Sequence, residues 1–102
     1  MHCEIDVNGD MFGAKLSEKI TFSDLDGFRE MVNDMVQSRA ARNIVDLSEV
    51  EFIDSAGLGM LLLARDEMAK TSASLALKSP RGQVQRMFSV ARFDQMFEII
   101  TD

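Results

Sequence analysis

Three times along this chain an extended, largely aliphatic run gives way to a stretch whose apolar residues fall three and four positions apart. The first passes from "MFGAKLSEKITF" to a stripe of Leu25, Phe28, Met31, Val32, Met35 and Val36. The second passes from "NIVDLSEVEFIDS" to Leu58, Leu61, Leu62, Met68 and Ala69, with Arg65 on the same stripe, and the third from "ASLALKSP" to Val84, Met87, Phe88 and Ala91. Extended runs that alternate with helical periodicity predict strands alternating with amphipathic helices. An opening "CEIDVNG" that turns at Asn8-Gly9 adds a hairpin strand, and "MFEII" at 96–100 adds a last strand. The expected order is β-β-α-β-α-β-α-β: an α/β fold with a mixed sheet of four to five strands and helices packed on it.

Local signals refine this frame. Phe12, Ala14, Leu16 and Ile20 are the inward candidates of the second strand, Ser23-Asp24 offers a helix cap, and 43–47 reads as a short buried strand. Pro80 is placed to open the third helix, where its missing N–H costs little. A length of 102 residues predicts one domain over 1–102, and 46% apolar against 27% charged residues suits a packed core. The longest apolar run, 60–64, is too short for membrane insertion. A net charge of −6 disfavours nucleic acid. Cys3 is the only cysteine and no secretory pattern opens the chain, so a reducing cytoplasm is expected. Charge is uneven: 80–92 holds Arg81, Arg86 and Arg92 without an acid, whereas 17–34 is acid-rich.

Function in sheets of this kind gathers where strands hand over to helices. The second handover reads "FIDSAGLGM". A serine nucleophile there needs a base, but the only histidine is His2, and D-S-A-G is no nucleophile elbow. No Walker string occurs, and one His beside one Cys makes no metal site, so neither cofactor nor metal is expected. Two readings of Ser55 stay open. It caps the helix, with Gly57 and Gly59 needed for tight packing; or its hydroxyl accepts a phosphate at the helix N-terminus, where free N–H groups favour an anion. Met60 also has two readings, burial on a helix apolar all round or partial exposure as an adaptable contact.

"NIVDLSEVEFIDSAGLGMLLLARDEM" resembles the core of a STAS domain of the bacterial anti-sigma factor antagonist type. The resemblance rests on a strand ending Asp46-Leu47-Ser48, a short turn, and Asp54-Ser55-Ala56-Gly57-Leu58-Gly59. It implies that Ser55 is phosphorylated by a serine-protein kinase that doubles as an anti-sigma factor. The unphosphorylated form binds that partner and a PP2C-like phosphatase resets the switch. By the same resemblance Asp54 is the acidic neighbour, Ala56, Gly57 and Gly59 form a shape-critical turn, and Leu58 is its buried anchor. The partner surface is expected to comprise Thr21, Phe22, Ser23, Asp24, Asp54, Ser55, Ala56, Gly57 and Met60. The chain itself is not an enzyme, and ATP belongs to the partner.

Two departures from the family pattern matter. Glu18-Lys19-Ile20-Thr21 stands where relatives carry G-E-L-D, so Asp24 is the candidate replacement for the lost acid. The closing helix common in the family is absent or short, which is expected to leave the hairpin edge bare. Other roles of a STAS module are a subunit beside a transporter ATPase, with Ser55 only a cap, and small-ligand or nucleotide binding at the same helix.

Overall fold

The computed structural model describes residues 1–101. In chain order it runs β1 (His2–Asn8), β2 (Met11–Ile20), a 3-10 turn (Phe22–Asp24), α1 (Leu25–Ser38), β3 (Arg42–Ile53) and α2 (Ser55–Lys70). There follow β4 (Ser74–Lys78), α3 (Gly82–Ala91), a second 3-10 turn (Phe93–Gln95) and β5 (Glu98–Ile100). The strands form one five-stranded sheet in chain order, antiparallel between β1 and β2 and parallel between the others. The hairpin turns at Gly9, whose φ of +62° is the left-handed conformation such a turn requires.

Each parallel connection steps to the next strand in the same direction. Right-handed crossovers therefore put α1, α2 and α3 on one face. Phe12, Ala14, Leu16, Val45 and Leu47 point to that face and are buried with Phe28, Met31, Met35, Leu61, Val84 and Phe88. Phe93 closes the core beside α3, its ring 4.9 Å from that of Phe88 and 5.0 Å from that of Phe97. Met11, Gly13, Lys15, Ile44, Asp46 and Lys78 line the opposite face, which no helix among the described residues covers. No helix among the described residues is long and apolar enough to cross a membrane.

Two local expectations are corrected. The strand expected at 43–47 is β3, Arg42–Ile53, and it does not end at Asp46-Leu47-Ser48. Asp46 Oδ1 accepts the Ser48 N–H at 2.9 Å and supports a bulge, where pairing with β2 shifts from Lys15↔Asp46 to Ser17↔Glu49. A second shift follows at Glu18, whose φ of +72° lies in the region that favours glycine. The position where the resemblance led to an expected Gly is thus backbone-strained here. Pro80 does not open the third helix: it is buried ahead of it, Arg81 holds the cap position, and Gly82 begins α3.

Candidate functional site: the rim around Ser55

β2 and β3 are parallel neighbours, so the segments that follow them emerge together at one rim. The Asp54 N–H donates to the Ile20 carbonyl at 3.2 Å and ties the two strand ends. Asp54 then bridges both segments with its side chain. One carboxylate oxygen accepts the Gly57 N–H at 2.8 Å, and the other accepts the Phe22 N–H at 3.2 Å. Its extended backbone, φ −101° and ψ −178°, is that of an N-cap.

The cap is therefore Asp54, and the reading of Ser55 as the cap is corrected. Ser55 is the first helical residue of α2, exposed, and its hydroxyl bonds to no described residue. The carboxylate one residue earlier already satisfies the free amide, which leaves the hydroxyl spare.

Asp24 is corrected too. Its carboxylate accepts the Thr21 N–H at 2.8 Å, the Thr21 hydroxyl at 3.1 Å and the Met1 ammonium at 2.9 Å. Burial pulls its pKa up, but these donors outweigh burial and hold it below the ordinary carboxylate value. Its charge is spent on closing the turn at 21–24 and does not stand free beside Ser55. The hydroxyls of Thr21 and Ser23, 3.0 Å apart, complete that turn.

The two glycines differ. A Cβ on Gly57 would stand 2.5 Å from Ile53 Cγ1 and 2.6 Å from the Ile20 carbonyl oxygen, so only glycine lets α2 start this close to the strand ends. A Cβ on Gly59 meets nothing within 4 Å. Gly59 is not shape-critical, contrary to expectation, and Leu58 is half-buried against the core where full burial was expected. All three belong to α2 itself and not to a turn before it.

Met60 is only 4% exposed, so of its two readings burial holds. The buried stripe of α2 runs through Gly57, Met60, Leu61, Ala64 and Met68, rotated from the expected one. Met60 instead forms part of a groove of about 320 Å³ with Phe22, Leu25, Ala56, Gly59 and Leu63. Phe22 is 72% exposed and Leu63 39%, an apolar ridge on either side of a smooth floor. Sequence reasoning included Phe22 but missed Leu25 and Leu63. The signal for Leu63 was the uninterrupted apolar run 60–64, more than one buried face needs.

Gln83 was also missed. Its Oε1 accepts the Ile53 N–H and its Nε2 donates to the Ile53 carbonyl, both at 2.9 Å. The pairing of β4 with β3 stops at Asp46↔Lys78, so this carboxamide takes the place of a strand two residues before Ser55.

The family model described as "Mlab, STAS domain" matches residues 4–101, and the chain belongs to the STAS domain family. It is 36% identical over 58 residues to a STAS-domain containing protein of Pseudomonas aeruginosa (strain UCBPP-PA14), an alignment covering 57% of each. The chain thus matches a little over half the length of that relative. Among solved structures it resembles a putative anti-sigma factor antagonist of Thermotoga maritima, with a TM-score of 0.87 and 23% identity over 98% of this chain and 86% of that one. The phosphorylated form of the Bacillus cell fate determinant SpoIIAA gives 0.77 and 14% identity over 99% and 91%. A sulfate transporter family protein of Wolinella succinogenes gives 0.79 and 14% identity over 93% and 80%. The five-stranded sheet with helices packed on it is accordingly the STAS fold.

Proposed function

We propose that this chain is a non-enzymatic, phosphorylation-switched binding protein of the anti-sigma factor antagonist type, acting in the cytoplasm. The observation that carries the reading is the exposed Ser55 hydroxyl, left without a structural task because Asp54 caps the helix. Beside it lies the apolar groove between Phe22 and Leu63, which suits a docking partner. The partner is an ATP-binding serine kinase or anti-sigma factor, and a PP2C-like phosphatase removes the phosphate. A phosphoserine adds about −1.5 to −2 charges and three acceptor oxygens. Placed next to the Asp54 carboxylate at the groove's edge, that charge and bulk release the partner without refolding the domain.

The test is binding of the serine kinase that copurifies with the chain from its native cells. Ser55→Ala should bind like the unmodified protein, and Ser55→Asp should bind about tenfold or more weakly. Equal binding by the two variants contradicts charge-driven release.

A second reading is favoured by the transporter-family neighbour. In it the same groove docks a transporter ATPase permanently and Ser55 stays unmodified. A copurifying transporter subunit, held equally by Ser55→Asp and Ser55→Ala, marks that outcome.

A further inference from the structure

A second exposed surface lies at the sheet edge, apart from the Ser55 rim. Among the described residues β1 pairs only with β2, so half of its backbone N–H and C=O groups face outward with no described strand beside them. Along this edge Glu4, Ile5, Asp6 and Val7 alternate acid and aliphatic, and all are exposed. Ile5 is 43% exposed and Val7 55%, which a strand facing only water has no reason to maintain.

Glu4 and Asp6 project onto the helix-free face, opposite Lys15 and Gly13 of β2. Lys15 pairs with Glu49 at 2.8 Å while its charge still acts on Glu4, and Gly13 presents no side chain to Asp6. That face carries a groove of about 400 Å³ whose lining includes the carboxylates of Glu4, Asp6 and Asp46 together with Lys15 and Lys78, so the excess of acid lies on the β1 side, with Glu4 and Asp6.

A second copy is a poor occupant of this edge in the registers centred on Ile5 or Asp6. Antiparallel self-pairing centred on Ile5 sets Glu4 against the other copy's Asp6, and centring on Asp6 sets that carboxylate against itself. Like charges directly opposite are destabilising. The complement is a strand with Lys or Arg in step with Glu4 and Asp6, and aliphatic residues in step with Ile5 and Val7.

We infer that the β1 edge is a second docking site, which takes an extended basic–aliphatic segment of a partner protein by strand addition. The added backbone pairs with the outward groups of β1, its cations lie against Glu4 and Asp6, and its aliphatic residues cover Ile5 and Val7. This site does not depend on Ser55 or on its phosphorylation.

The test is a titration of the isotope-labelled full chain with a short capped peptide of alternating Lys and Val, with a Glu–Val peptide as control, followed by amide NMR. The Lys peptide should shift the amides of 2–8 and slow their exchange, and the Glu peptide should not. Asp6→Lys, on the exposed strand, should weaken the Lys peptide about fivefold or more, and Glu4→Lys should do the same independently. The inference is overturned if both peptides shift β1 equally, if the shifts centre on the Phe22–Leu63 groove, or if the free chain dimerises through β1.

Discussion

Two strand-to-helix handovers leave the same rim of the sheet, β3 to α2 and β4 to α3, and their chemistry is opposite. At the first, an acid caps the helix, its other oxygen fastens the turn at 21–24, and a serine is left exposed beside an apolar groove. At the second, the cap position is Arg81, with no side-chain cap and no acid in the first turn. The side chain that matters there, Gln83, turns back to hold the end of β3. One junction is built to present a hydroxyl and the other to brace it. Topology alone makes both handovers candidates; the difference in side chains is what supports the proposal of a switch at Ser55.

Substitutions at the first junction should break this contrast in order of contact. Gly57→Ala forces a methyl group against Ile53 and the Ile20 carbonyl, and should cost about 3 kcal/mol in urea unfolding. Asp54→Ala removes the cap and the link to Phe22. It should cost about 2 kcal/mol and speed exchange of the Gly57 and Phe22 amides, because both lose their acceptor. Gly59→Ala reverses the sign. With open space at that position the methyl should stabilise α2 by about 1 kcal/mol, while its bulk in the groove should weaken partner binding. A loss of stability there would mean that the floor of the groove is less open than described.

Much of the fold was legible because α1 and β2 each bury one clear face. Phe28, Met31, Val32 and Met35, and Phe12, Ala14, Leu16 and Ile20, are buried as their spacing predicts. In α2 the phase was misread because the helix is apolar nearly all round, so several stripes fit and only packing against Ile20 and Ile53 selects Gly57 and Met60. β3 was cut short because Asp46 and Ser48 look like a strand end, although they sustain a bulge within it. At the site, the motif pointed to Ser55 but left its role divided between cap and phosphoacceptor. Which side chain reaches the Gly57 amide removes the cap reading, a fact of geometry that spacing does not carry, and the phosphoacceptor role is the proposal that follows. The bond of Gln83 to Ile53 spans thirty positions and leaves no periodic trace in the sequence.

The most direct measurement is the intact mass of the protein purified from its native cells, with and without phosphatase treatment, with any phosphate mapped by fragmentation. The account predicts one phosphate, removable by the phosphatase and located on Ser55. A protein that stays unmodified at Ser55 through growth and stress, while its groove is occupied by a stable partner, would contradict the switch and leave Ser55 as a bystander at a permanent interface.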